Sequence, residues 1–274
     1  MKRVITIQDI SCVGKCSITT ALPIISALGI ETAILPTAVL SNHTQFDEFT
    51  CKNLEDQIEP IYNTWERLGI DFDGIYTGYL ASEKQIDLVI KFFDRFGKEG
   101  ILRFVDPAMA DDGKLYVSFG NDFPKAMARL CGNADIIIPN FTEACLMTGT
   151  KYTESYDEKK IRELLFKLAK LGTKKAVIIT GVSIENGKTG FAIYEIKEDK
   201  YTFYSHERLN KNYHGTGDVY SSVAFGELMN GMSLKEALIK AADFTICSIK
   251  ETIENDPDKE YAVDFEKVLP MLWK

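Results

Sequence analysis

Arg3-Val4-Ile5-Thr6-Ile7-Gln8, the loop of residues 9–16 with Gly14 inside it, residues 17–28 closed by Gly29, and residues 31–35 together decide the fold. The first run is short, apolar and rich in Val and Ile, the composition of a buried strand. Ile18, Ala21, Leu22, Ile25 and Leu28 recur at helical spacing, and the glycine after them is a stop signal. Residues 31–35 read as a strand again. Two such strands can pair in parallel only through a long crossover, which the intervening helix supplies.

The rhythm continues. Residues 53–68 read as a helix ended by Gly69, 74–77 as a strand, 82–96 as a helix and 101–105 as a strand. A helix over 122–130, a strand over 135–138, a helix over 157–171 capped by Gly172 and a very apolar strand over 175–180 follow. Near-continuous apolar strands between helices imply a parallel sheet covered on both faces. Residues 190–196 and 200–206 then alternate around the polar Lys197-Glu198-Asp199, which predicts an antiparallel edge hairpin. Helices are expected at 218–230, at 233–250 and briefly from Asp264, with a charged, solvated loop at 250–261. No repeat or linker interrupts the chain. Residues 1–274 are expected to form a single α/β domain: a three-layer α/β/α sandwich, mostly parallel, with an antiparallel edge.

Composition excludes several classes of function. With 32 basic and 40 acidic side chains the net charge is −8, and no basic stripe forms, so nucleic acid is not the expected partner. No apolar run approaches the roughly 20 residues of a membrane span. The amino terminus enters a strand at once and offers no small-residue cleavage site, so a cytoplasmic protein is expected. The six cysteines are scattered, which suits reduced thiols, and Cys12 with Cys16 lacks the second pair or nearby histidine that zinc needs.

The chemistry concentrates in His214-Gly215-Thr216-Gly217-Asp218, which runs into the apolar spacing of Val219, Ser222, Val223, Phe225, Leu228 and Met229. A glycine turn entering a helix exposes backbone N–H groups at the positive end of its dipole, a site that binds phosphate. Asp218 at that point is placed to act as a general base, or, more plainly, to cap the helix. Other polar residues fall at predicted strand ends, where an open parallel sheet binds ligands. They are Asp9, Ser11 and Gly14; Ser41-Asn42-His43-Thr44; Thr77-Gly78-Tyr79; Asp106-Pro107; Asn140 with Glu143; and Thr180-Gly181. Each has a plain alternative. Asn140 and Ser11 read equally as caps, Gly78 and Gly181 as turn formers, Tyr79 as half-buried core and His43 as a brace for its loop.

The ordered series resembles a known family. The Gly-Thr-Gly-Asp turn before a late helix is similar to the signature of ribokinase-like small-molecule kinases. Residues 41–44 and 76–79, Asp106-Pro107 with Gly113, Leu115 and Tyr116, and 134–140 with Glu143 resemble the pyridoxal (vitamin B6) kinases within it. The resemblance runs over about residues 4–242. The loop 9–17 is similar to a bacterial branch of pyridoxamine or pyridoxine kinases, and departs from animal-type enzymes in which a serine follows the glutamine directly. Whether Asp9 or Ser11 meets the pyridine ring stays open.

The resemblance implies phosphorylation of the 5′-hydroxymethyl group of a B6 vitamer by ATP and Mg²⁺. By it, Gly215, Thr216 and Gly217 form the anion hole and Asp218 takes the substrate's proton. Asp106 and Glu143 are the implied metal residues. Asn140, Thr180 and Gly181, with Thr216 and Gly217, serve the nucleotide. Asp9, Ser11, His43, Thr44 and Tyr79 surround the vitamer, with Leu40 and Phe49 as apolar wall. Residues 111–116, with Asp111 and Tyr116 at their ends, resemble a flexible lid over ATP. A homodimer is implied, and a monovalent cation such as K⁺ is left open. A thiamine-pathway kinase acting on hydroxymethylpyrimidine or its phosphate is a close rival, although its first loop is usually richer in glycine. A non-catalytic vitamer-binding protein is a third reading, disfavoured by intact Asp218, Asn140 and Glu143.

Overall fold

The computed structural model describes residues 1–209, 213–257 and 262–273. Two compact units divide the chain: Met1–Gly78 with Leu209–Lys274, and Tyr79–Arg208. The first opens with β1 (Arg3–Ser11), α1 (Ile18–Ala27), β2 (Glu31–Leu40), β3 (Cys51–Asn53), α2 (Glu55–Arg67) and β4 (Gly74–Thr77). The second holds α3 (Glu83–Phe96), β5 (Leu102–Val105), β6 (Ala110–Asp111), β7 (Lys114–Leu115), α4 (Phe123–Gly132) and β8 (Ile136–Ile137). It continues with α5 (Phe141–Met147), α6 (Glu158–Ala169), β9 (Ala176–Thr180), β10 (Lys188–Glu195) and β11 (Lys200–Glu207). The chain returns to the first unit with α7 (Thr216–Met229), α8 (Leu234–Asn255) and a 3₁₀ turn at Leu269–Leu272.

Strand order in the first unit is β4-β1-β2-β3, with β1 parallel to both neighbours and β3 antiparallel to β2. In the second it is β11-β10-β9-β8-β5, parallel from β5 to β9 and antiparallel through β10 and β11. The mostly parallel α/β architecture with an antiparallel edge hairpin is therefore as the sequence predicts. Val4 through Asp9 are buried in succession. Successive strand residues face opposite ways, so β1 is covered on both sides. Its pairing with β2 shifts register between Gln8 and Ile10, opposite Pro36, which has no N–H to give a ladder. Asp9 sits at that irregularity.

Five local readings need correction. β2 continues five residues past the predicted end at 35, because the Pro36 break is absorbed by the register shift. Residues 51–52, covered by no predicted element, and Asn53, read as the start of a helix, form β3 on the edge of β2. Residues 141–147, read as loop, are α5, too short at 7 residues to show a helical period. The predicted loop from 250 is helical to Asn255, since Thr252 is fully buried and its hydroxyl accepts the Asp264 N–H at 2.8 Å. The helix expected from Asp264 is reduced to the 3₁₀ turn. Residues 258–261 of that loop lie outside the described residues. Among the described residues, no helix is long and apolar enough to cross a membrane.

Candidate active site

In the first unit, β1 ends by presenting Asp9 and Ser11, two residues apart and so on one face of the strand. They are 4% and 2% exposed, and the Ser11 hydroxyl donates to Asp9 Oδ2 at 3.4 Å. Burial pushes the Asp9 carboxyl above its ordinary range, and hydrogen bonds from Ser17 and Ser11 partly offset this. Leu40 closes β2 directly opposite Ser11 and is buried. The loops after these two strands bind each other: Cys12 N–H donates to Leu40 O at 2.9 Å and His43 N–H to Val13 O at 2.8 Å. His43 is half-buried, whereas Thr44 and Phe49 are exposed. Phe49 therefore adds little to an enclosed wall in this structure.

The Gly-Thr-Gly-Asp turn lies in the same unit. Gly215 is the N-cap of α7, with φ of 80°, and no side chain caps the helix. A Cβ at 215 would also stand 2.9 Å from Lys15 O, so both the left-handed backbone and the close approach require glycine. The Thr216 hydroxyl turns back to Tyr213 O at 3.0 Å. The N–H groups that open α7 are by position the ones without an intrahelical acceptor. Asp218 lies in that first turn rather than at the cap. Cys16 ties this turn to β1. Burial, then the charge of Asp218, then that of Asp9, push its thiol up, so both carboxylates act on one buried side chain. The sequence offered Cys16 only a packing role.

In the second unit the polar residues converge on the start of α5. Asn140 is its N-cap and Glu143 its third residue, and the two form a reciprocal capping box. Asn140 Oδ1 accepts the Glu143 N–H at 2.9 Å, and Glu143 Oε2 accepts the Asn140 N–H at 2.8 Å. Glu143 Oε1 also accepts the Met109 N–H at 3.0 Å, while the Asn140 amide donates to Ala110 O at 2.7 Å. The plain reading of Asn140 as a cap therefore holds. Thr180 meets Asn140 in an isolated parallel bridge, and Gly181 follows at φ of 71° facing open space.

Glu143 is 2% exposed, and burial followed by the charge of Asp106 pushes its carboxyl well up. Two carboxylates that raise each other's energy in a buried place would be relieved by a divalent cation. No cluster of three or more metal-binding side chains occurs among the described residues. Asp106 and Glu143 are the residues that could hold a hard ion of the kind that takes one or two carboxylates and completes its shell with phosphate and water, the habit of Mg²⁺.

Residues 111–116, the segment that resembles a lid, form a β-hairpin. β6 and β7 pair across Asp112 and Gly113, whose φ values of 47° and 77° suit a tight hairpin turn. Gly113 N–H donates to the Thr142 hydroxyl at 3.0 Å and Tyr116 N–H to Met109 O at 2.9 Å, so the hairpin is tied to α5 and its own base. Asp111 and Tyr116 are exposed on it. Tyr79 is half-buried, its hydroxyl 3.2 Å from Ser118 Oγ and its ring 5.4 Å from Phe119, which stacks on Phe123.

Residues 16–261 match the family described as phosphomethylpyrimidine kinase. The chain belongs to this family. A Bacteroides thetaiotaomicron protein, provisionally described as a phosphomethylpyrimidine kinase, was solved in a form with pyridoxal. It superposes with a TM-score of 0.94 at 36% identity, over 99% of this chain and 95% of that one. The pyridoxal kinase of Lactobacillus plantarum superposes with a TM-score of 0.90 at 29% identity, over 99% and 96%. Pyridoxal kinase of Histophilus somni is 26% identical over 262 residues, 93% of this chain and 90% of its own length. The fold is thus the ribokinase-like one of pyridoxal kinases. Sequence reasoning overlooked the clamp that Glu143 forms on residues 109 and 140, whose only trace was the Asn-x-x-Glu spacing of a capping box. It also gave no role to Gln45 and none to the His214 side chain.

Proposed function

We propose that this chain uses ATP and Mg²⁺ to phosphorylate the 5′-hydroxymethyl group of pyridoxal, pyridoxine or pyridoxamine. One observation carries the chemistry: α7 begins behind a left-handed glycine with no side-chain cap, has an acid in its first turn, and abuts the loop after β1, where a Cβ at 215 would stand 2.9 Å from Lys15 O. The opening N–H groups of α7 receive the transferring phosphoryl group, a fixed electrostatic cradle of the sort that dominates phosphoryl transfer. Asp218 takes the alcohol proton as the oxygen attacks in line. Asp9, Ser11, Leu40, His43 and Thr44 hold the ring. Asn140, Thr180, Gly181, Asp111 and Tyr116 serve the nucleotide. Asp106 and Glu143 would hold Mg²⁺, which would supply neutralisation of phosphate charge.

The pyridoxal in the Bacteroides relative and the pyridoxal kinases of Lactobacillus plantarum and Histophilus somni support this substrate class. The family description supports a second reading, in which hydroxymethylpyrimidine or its phosphate is the alcohol. We assign the chain as one kinase domain working in the cytoplasm as a homodimer. Six free thiols support a reducing compartment, and the family resemblance supports the dimer. A coupled ADP-release assay with ATP and Mg²⁺, run on the three vitamers and hydroxymethylpyrimidine in parallel, tests the assignment. We expect the highest kcat/KM on a B6 vitamer. Preference for hydroxymethylpyrimidine selects the second reading, and no turnover on any of the four rejects both.

A further inference from the structure

Three loops of the first unit meet around a pair of histidines. His214 immediately precedes the left-handed Gly215, and its ring centroid is 5.9 Å from that of His43. Gln45 touches both rings. Its backbone N–H donates to His43 Nδ1 at 3.1 Å, and its amide nitrogen, which can only donate, lies 2.7 Å from His214 Nε2. His43 is also pressed from behind by the loop after β1: Gly14 has φ of 114°, and a Cβ there would lie 2.5 Å from His43 Cβ.

These contacts determine protonation. A backbone N–H always donates, so His43 Nδ1 must be bare, and neutral His43 carries its proton on Nε2. Burial, and then the neighbouring His214, both push the His43 pKa down, which agrees with a ring kept neutral. His43 is thereby presented as a donor, suited to an acceptor on the ligand such as a phenolate oxygen.

We propose that His214 and Gln45 form a latch between the loop 41–50 and the phosphate turn, and that both are positioning residues for phosphoryl transfer. The latch fixes the His43 ring through the Gln45 backbone and fixes the peptide before Gly215 through the His214 side chain. A change at the vitamer loop is thus felt at the turn that receives phosphate. The kinetic half of this inference rests on the B6 kinase reading. The structural half does not.

The test uses full-length His214→Ala and Gln45→Ala, singly and together, with His214→Gln, whose amide offers an acceptor in place of the ring nitrogen. In substrate-free protein, amide hydrogen exchange should rise at residues 43–46 and at the start of α7 in either alanine variant. The double variant should add little to either single one. At saturating ATP, each alanine change should raise KM for the vitamer about two- to tenfold, the worth of one neutral hydrogen bond, with KM for ATP unmoved. His214→Gln should recover most of that loss. Wild-type exchange in both alanine variants, or strictly additive effects on vitamer KM, overturns the latch. Should the wild type turn over no vitamer, the kinase reading falls and the exchange measurement alone decides the latch.

Discussion

Two helices of this protein begin in opposite ways. α5 of the second unit is capped twice over, by Asn140 on the Glu143 N–H and by Glu143 on the Asn140 N–H, with Glu143 holding Met109 as well. α7 of the first unit begins at a left-handed glycine with no side-chain cap. Both ends face the same physical problem, since the first N–H groups of any helix lack intrahelical acceptors. One end solves it with its own side chains. The other leaves donors at the positive end of a dipole, where an anion gains most. α1, α2, α4 and α8 also lack a side-chain cap, so what sets α7 apart is its left-handed glycine and the acid in its first turn.

Breaking the α7 end should have the largest effect. Asp218→Asn keeps the size of the side chain but removes the base. Turnover should fall by about 10²–10⁴, the usual contribution of a positioned proton acceptor, with ATP affinity by calorimetry nearly unchanged. Turnover within twofold of wild type would take Asp218 out of that role.

Breaking the α5 end should act on stability. Glu143→Ala strands the buried Met109 N–H, at roughly 1–3 kcal/mol, and removes the acceptor of the half-buried Asn140 N–H. We expect a clear drop in urea midpoint without substrate or Mg²⁺, with faster amide exchange through residues 109–116. An unchanged midpoint with a defect only in Mg²⁺-dependent ATP binding would make Glu143 a metal residue alone.

The smallest effect sharpens the contrast between residues serving fold and residues serving ligand. Burial raises the Asp9 pKa above its ordinary 3.8. A raised carboxyl favours the folded state below its unfolded pKa, and that contribution is lost as pH rises through the folded value. At neutral pH the folded protein therefore carries a cost that Asp9→Asn removes. The variant's Tm should exceed the wild type's at pH 7, with the gap closing toward pH 3. A gap that widens on acidification would mean that Asp9 is stabilised by its partners instead.

Two motifs of the candidate site were legible because they are local: Gly215 to Asp218 is a contiguous turn into α7, and the three-residue spacing of Asn140 and Glu143 is that of a capping box. α5 and β3 were not legible, since 7 and 3 residues are too few to show a period. The backbone clamp of Glu143 was hidden for another reason. A buried carboxylate looks the same in sequence whether it meets a cation or backbone N–H groups.

By itself, the sequence determined the α/β class, the crossover at β1-α1-β2, the edge hairpin and the glycine turn into α7, because periodicity and glycine placement are local consequences of backbone sterics. Tertiary structure alone decided that Gln45 reaches His214 across 169 positions. It also decided that Cys16 feels both Asp9 and Asp218, and that residues 111–116 are pinned to α5. Those contacts join segments far apart in the chain. They exist only once burial of the strands has brought the loops at their ends together, so no pattern of neighbouring residues encodes them.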